Sequence, residues 1–443
     1  MGANWAGEGR HVAVVGSGIA GLSAAWLLNQ RYRVTLFERD GRLGGHSNTV
    51  DVPTPDGVVG VDTGFIVYNN RTYPNLTELF RHLGVASYRS NMSFGASLQG
   101  GAMEYSSVSL RGFIGRPANL VRRRYWAMLR DIVRFYQAGP GLLDRSDLQS
   151  LTLGEYLDAN GYSPAFVEDH LLPMGAAIWS TTARQMRAYP LVAFVRFFAS
   201  HGLLDLNVVG RPRWRTVMGG SRSYVTRLAE GLDVRLHADI AAILRSPAGI
   251  TIVHRSGRHE YFSDVVIATH ADQALRLLGD ADELERSVLG AFSYTENTAV
   301  LHTDPMLMPR RRGIWASWNY IGGTEPGDDT QLCVTYWMNR LQQLPTRTQM
   351  FLTLNPVRPP AADRVEQVIG YSHPHFDHAA LAAQRRLPSL QGQRHTWFAG
   401  SYFGHGFHED ALKAGLAAAE GIGGVVRPWA PGARLERPME RVS

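Results

Sequence analysis

Residues 11–46 read HVAVVGSGIAGLSAAWLLNQRYRVTLFERDGRLGGH, and this stretch decides the fold. Val12, Val14 and Val15 form a short apolar run, the pattern of a strand buried on both faces. Gly16, Gly18 and Gly21 then supply GxGxxG. The first glycine makes the tight turn, the second admits a pyrophosphate against bare backbone, and the third lets the following helix pack on the strand. That helix opens with Ile19 and Ala20 and turns its positive N-terminal end toward the phosphates. Val34, Thr35, Leu36 and Phe37 give the next strand, and Glu38, followed by Arg39, ends it. A carboxylate about 20 residues beyond the glycines accepts hydrogen bonds from both ribose hydroxyls. The unit predicts a dinucleotide site but does not separate NAD from FAD.

The next turn separates them. Arg42, Leu43, Gly44, Gly45 and His46 form RxGGH. This resembles the second glycine motif of the flavin amine oxidase and phytoene desaturase superfamily, in which the arginine and glycines lie along the pyrophosphate and ribityl chain. The resemblance implies FAD. It also implies that the Asp62-Thr63-Gly64 segment lies near the flavin and that Ile240 meets the adenine through its backbone. In the C-terminal stretch WFAGSYFGHGFHEDALKAGLAAAEG it sets Gly400 against the pyrophosphate and points the helix starting at about Glu409 toward the flavin. A positive helix end there stabilises electron density on the reduced ring. Superfamily members often have glycine where Ala411 stands; Glu409 and Asp410 either hold ribityl hydroxyls or cap the helix.

Further segments narrow the match: GGHSNTV, DTGFIVYNNRTYPN, GAAIWS, HGLL, RPRWRTVMGGSRSYV, ASWNYI and GHGFHEDA. Together they resemble the flavoprotein branch found as the N-terminal, oxidase-like half of plant cyclopropane fatty acid synthases, and bacterial flavoproteins acting on methylated fatty acyl chains. The implied fold class is α/β: a Rossmann-like FAD domain with an inserted α+β substrate domain. The expected FAD domain comprises residues 1–70, 215–290 and 391–430; the expected substrate domain comprises 71–214 and 291–390.

Length and composition agree with such an arrangement. A chain of 443 residues is too long for one simple core. Its 44% hydrophobic and 19% charged residues are an ordinary globular balance, which excludes a disordered chain. A single cysteine, Cys333, excludes an intramolecular disulfide framework and a cysteine metal cluster; no metal is expected. Met1 to Gly9 lack a signal peptide, and no window of 18 apolar residues is free of charge, so the sequence predicts a cytoplasmic protein. The net charge of +6 comes almost wholly from arginine, because Lys413 is the one lysine. A basic balance suits anionic partners. No nucleic-acid module is present.

Along the chain, residues 50–61 read as a hairpin, 73–84 as a helix and 92–105 as short strands. In 119–136 Val121, Tyr125, Met128, Leu129, Ile132, Phe135 and Tyr136 share one helical face, with Arg123, Arg124, Arg130 and Arg134 opposite. Two readings fit: a core helix with a solvated basic back, or a helix lying on an anionic membrane at its inner face. Thr152-x-x-Glu155 is a capping box that starts another helix. Residues 171–180 either line a pocket or simply pack, and 191–204 form a strongly apolar helix. Thr324 to Asp329 read as a loop, and Asp264 to His270 as a buried strand returning to the nucleotide sheet.

Amine oxidases typically keep a lysine that holds water against flavin N5. Lys413 stands inside the C-terminal helix, off that pattern, so amine oxidation is disfavoured. The favoured expectation is an FAD-dependent oxidoreductase, a desaturase or dehydrogenase of a lipid acyl chain, in which a base removes one proton while hydride passes to the flavin. His405 and His408, with His46 behind them, are the candidate bases, because imidazole exchanges protons near neutral pH. Trp179, Trp318, Tyr402 and Phe403 are candidate walls for the acyl chain. Alternatives are a non-redox flavoprotein or isomerase assisting a partner lipid methyltransferase, and an amine or carotenoid oxidase.

Overall fold

The structure is a computed structural model and describes residues 9–206, 211–322 and 333–430. The loop expected at Thr324 to Asp329 lies outside the described residues. The valine run forms the strand His11–Val15, with Val12, Ala13 and Val14 fully buried, as a run without polar alternation requires. It lies in a parallel sheet ordered Asp233–Arg235, Arg33–Phe37, His11–Val15, Asp264–Ile267, Thr396–Phe398. Strands from three distant parts of the chain therefore build one sheet.

The helix Ile19–Leu28 follows the first glycine turn and is buried on nearly every side. The closing helix, His408–Ile422, lies directly against it. The approach is backbone to backbone: a Cβ on Gly415 would stand 2.1 Å from the Ala20 carbonyl oxygen and 2.6 Å from Ser23 Oγ. The helix Pro74–His82 joins this packing through Leu76, Leu79 and Phe80.

A second, seven-stranded sheet is ordered Val365–His375, Ser293–His302, Phe351–Leu354, Val334–Trp337, Trp318–Ile321, Phe94–Leu98, Met103–Ser106. Its pairs are antiparallel except Trp318–Ile321 with Phe94–Leu98. The predicted hairpin forms as Thr49–Thr54 with Gly57–Asp62. A small sheet of Val67–Asn69, Trp214–Val217 and Ser87–Arg89 stitches the chain between its halves. Pairing of that kind, across some 150 residues, leaves no local mark in the sequence. The Thr152 and Glu155 capping box closes as expected and starts Leu153–Ala159. Cys333 is buried and free.

The basic helix runs Arg123–Leu142, later than expected. Val121 ends a separate 3-10 turn, Pro117–Val121, because Arg122 is extended. Tyr125, Met128, Ile132, Phe135 and Tyr136 are buried, so the helix's apolar face packs the core. Of the arginines behind it, Arg124 bonds Asp169 at 2.6 Å and Glu168 at 2.8 Å, Arg130 bonds Asp131, and Arg134 covers the Tyr162 ring. Of the two readings of 119–136, the core helix with a basic back accounts for this apolar face, which protein covers. The helix Leu191–Ser200 is likewise core, with Leu191, Phe194 and Phe198 fully buried. No helix among the described residues is long and apolar enough to cross a membrane.

Since the opening and closing helices meet at Gly415, a side chain there must push them apart. Gly415→Leu is expected to lower stability by about 1–3 kcal/mol or more, the usual cost of overpacking, and to reduce retained flavin. Thermal unfolding and the ratio of visible to ultraviolet absorbance measure the two effects.

Candidate functional site

The nucleotide end is made of backbone. Gly16 has φ +99°, and its N–H donates to Phe37 O at 2.8 Å. A Cβ on Gly21 would lie 1.8 Å from Gly16 O. A Cβ on Gly18, in contrast, meets nothing within 4 Å. Facing it is the second glycine turn: a Cβ on Gly45 (φ +56°) would come within 3.2 Å of Gly18 Cα. Gly44 (φ +106°) tightens that turn, and its N–H reaches Ser17 O at 3.1 Å. No side chain caps the helix Ile19–Leu28, so the first N–H groups of Ile19, Ala20 and Gly21 face the open space at Gly18. Glu38 stands at the strand end, held by the N–H groups of Ser17 and Asp40, each at 2.9 Å. Arg39 is exposed, and Arg42 is half-buried. Ile240 lies where the ladder with Gly249–His254 is interrupted by a register shift, which frees backbone groups there. Bare floor, uncapped helix end and terminal carboxylate together fit an adenine dinucleotide.

The Asp62-Thr63-Gly64 segment is clipped to the second turn. The Thr63 N–H donates to Asn48 O at 2.9 Å and the Phe65 N–H to His46 O at 2.8 Å. A Cβ on Gly64 would lie 2.0 Å from His46 O. At the C-terminal end, Gly400 sits where a Cβ would strike the Tyr402 ring, and Ala411 is buried in the first turn of the closing helix. Of the two roles open to the neighbouring carboxylates, the geometry takes the structural one. Glu409 accepts from the N–H groups of Asn75 (2.9 Å) and Leu76 (3.0 Å), capping Pro74–His82 rather than its own helix. Asp410 accepts from the N–H groups of His405 (2.9 Å) and Phe407 (3.0 Å) and so fixes the histidine-rich loop.

The three candidate bases occupy different surroundings. His408 is stacked on Phe65 at 3.8 Å, and its Nε2 is 2.8 Å from Tyr224 Oη; burial pushes its pKa down to about 3. His46 stands among Tyr371 (4.9 Å), His373 (5.3 Å) and His270 (6.2 Å). Burial, then the neighbouring histidines, holds it well below the usual imidazole range. His405 is lowered by burial, while Asp410 pulls the other way. All three are neutral at neutral pH. An acceptor with a conjugate acid near 3 is a weak base, and His408 already shares its nitrogen with Tyr224, so His405 is the best placed of the three.

His270, His373, Tyr371, Tyr224 and Phe65 escaped sequence reasoning. The alternation Tyr371-x-His373 was the available signal, since it puts both side chains on one face of Val365–His375. Of the candidate walls, Trp179 joins the His405 loop. It packs on Phe197 (4.7 Å), which stacks on Phe407 (4.7 Å) and lies 6.0 Å from His405. Trp318 packs instead on Tyr336 in the large sheet; Tyr402 lies between Phe292 and Phe403. The Nε1 atoms of Trp179 and Trp318 and the Tyr402 hydroxyl are buried without a protein partner. Lys413 is exposed on the closing helix, so no lysine enters the site.

Gly18→Val is expected to separate cofactor binding from folding. Gly18 has φ −61°, which any residue adopts, and its Cβ direction is free of protein. The variant should unfold with the apoprotein's midpoint yet retain at least about tenfold less FAD, read by flavin fluorescence after gel filtration. Acid should act through the buried histidines. His170, His201 and His373 are lowered by burial to about 4 and His408 to about 3, from 6.5. Their unfolded forms take up protons below 6.5 and the folded ones do not, so stability is full above 6.5 and falls as pH drops toward 4. Asp62, raised to about 6 by burial, works the other way between about 4 and 6. His373→Asn should flatten the fall of the unfolding midpoint between pH 6.5 and 4.

The flavin containing amine oxidoreductase model matches residues 19–304 of the chain. A carotenoid phi-ring synthase of Streptomyces griseus is 27% identical over 335 residues, 71% of this chain. The match covers 61% of that relative's length. A cyclohexylamine oxidase from Brevibacterium oxydans IH-35A superposes with a TM-score of 0.68 at 15% identity, covering 94% of this chain and 98% of its own. A CLA-producing fatty acid isomerase from P. acnes superposes with a TM-score of 0.64 at 16% identity, covering 92% and 97%. These two solved structures, with different substrates in their names, share the α/β two-domain fold. The chain thus belongs to the flavin containing amine oxidoreductase family, a family of FAD-dependent oxidoreductases.

Proposed function

We propose that the protein is an FAD-dependent desaturase or dehydrogenase of a lipid acyl chain. The observation that carries this reading is the aromatic wall beside His405: Trp179, Phe197 and Phe407 in mutual contact, with no lysine in the site. An apolar wall suits a hydrocarbon substrate. The carotenoid synthase and fatty acid isomerase among the similar proteins support lipid-like substrates.

Removing a proton and a hydride from neighbouring carbons leaves a C=C bond. FAD, when bound, supplies the hydride acceptor. His405 takes the proton: its imidazole is neutral, and Asp410 fixes its backbone. Asp410 also opposes the burial that lowers the imidazole, so the proton, once taken, is stabilised. Phe197 and Phe407 exclude water and hold the chain. His408 does not compete, because Tyr224 shares its nitrogen. Gly16, Gly18, Gly21, Glu38, Arg39, Arg42, Gly44, Gly45, Thr63, Gly64, Ile240, Gly400 and Ala411 are the proposed contacts to FAD.

A redox-neutral double-bond shift is the second reading, favoured by the fold shared with the fatty acid isomerase; there His405 would return the same proton to another carbon.

The test is anaerobic mixing of the holoprotein with phospholipids bearing unsaturated or methyl-branched chains. Desaturation bleaches the visible flavin band and yields lipid two hydrogens lighter. Isomerisation yields lipid of unchanged mass without lasting bleaching. Neither outcome, with full flavin content, overturns the acyl-chain reading. His405→Phe should lower kcat by about 10²–10⁴-fold with FAD content unchanged. His408→Phe should change FAD retention more than kcat.

A further inference from the structure

Between Leu110 and Trp126 the chain forms a solvent-facing elbow: the short helix Leu110–Ile114, the turn Pro117–Val121, then the start of Arg123–Leu142. It carries the most exposed large apolar side chains of that region. Leu110 is 77% exposed, Val121 85%, Trp126 53% and Leu120 44%. Trp126 donates its indole N–H to Leu120 O at 2.8 Å, which lays the ring across the turn.

The elbow is firmly held. Asn119 is buried and donates to Ile114 O at 2.9 Å, and Tyr125 Oη donates to Phe113 O at 2.7 Å. Arg116 and Arg122 both donate to Ala102 O, tying the elbow to the edge of the large sheet. The scaffold therefore presents these side chains to water in fixed positions, with no gain to the monomer from their exposure.

Charge gives the second, independent observation. No Asp or Glu occurs between Glu104 and Asp131. Arg111, Arg116, Arg122 and Arg123 lie in the elbow. Arg311 reaches it from the neighbouring loop, donating to Gly115 O at 3.1 Å, with Arg310 and Arg312 on either side. None of these forms an ion pair among the described residues; Arg124, within the elbow, pairs with Glu168 and Asp169, and Arg130 and Arg134 further along the helix face Asp131.

We propose that this elbow docks the protein on an anionic lipid bilayer, with Leu110, Leu120, Val121 and Trp126 in the interfacial layer and the surrounding arginines on lipid phosphates. Trp and Leu are favoured at that depth, and Arg reaches phosphate from it. The contact differs from one along the helix Arg123–Leu142, whose apolar face is core. It rests on no particular reaction, so docking and the acyl-chain reading fail separately.

The test is flotation of the full-length holoprotein with phosphatidylcholine vesicles, with and without phosphatidylglycerol. Wild type is expected to bind the anionic vesicles, and less so as salt rises. Val121→Glu with Trp126→Glu, and separately Arg111→Ser with Arg123→Ser, should each weaken binding at least about tenfold. FAD content and circular dichroism should stay unchanged. Leu110→Ser with Val121→Ser, at the two most exposed positions, replaces the first pair should it misfold. The proposal is overturned if wild type ignores anionic vesicles, or if the variants bind as wild type does. It is also overturned if the elbow substitutions instead abolish a dimer seen by analytical ultracentrifugation, which would make a second copy the occupant.

Discussion

Close approach of backbone to backbone is the constraint on which the rest of the structure depends. Gly21 meets the carbonyl of Gly16, Gly45 meets Gly18, and Gly415 meets the carbonyl of Ala20. A methyl group at Gly21 or Gly415 would stand within 2.1 Å of an oxygen. These contacts fix the opening helix against its strand, the second turn against the first, and the closing helix over both. Only Gly18 of this set turns its missing side chain to open space, the feature a dinucleotide's pyrophosphate requires of a backbone floor.

The polar groups around this floor are arranged to hold shape more than to carry charge. Glu409 spans the chain to cap Pro74–His82, and Asp410 closes the loop that carries His405. His46, His270 and His373 stand so close together that a proton on one opposes a proton on the next, and burial disfavours all three. Such groups act as dipoles and fixed acceptors at neutral pH. His405 has the Asp410 carboxylate opposing its desolvation, and its ring lies 6.0 Å from Phe197 of the aromatic wall.

The large mixed sheet shares no strand with the nucleotide sheet. Trp179 and Phe197 come from helices far from the C-terminal loop in sequence, yet they meet Phe407 within it.

What the sequence determined by itself was whatever depends on a missing side chain or a short repeat. GxGxxG, RxGGH, Glu38 and the valine run specify φ angles, a bare floor and a strand buried on both faces, and each of those is set by residues a few positions apart. The Thr152 and Glu155 cap was legible for the same reason. Only the tertiary structure decided the partners of groups whose bonds are made at long range. Glu409 could equally have met a sugar hydroxyl until Asn75 was brought to it. Tyr371 and His373 gained a place beside His46 only through sheet pairing. Val121 matched the apolar stripe of the basic helix, but an extended Arg122 ended the periodicity and left Val121 in water. Local sequence fixes conformations; which side chain faces which is a property of packing, and that is established between segments hundreds of residues apart.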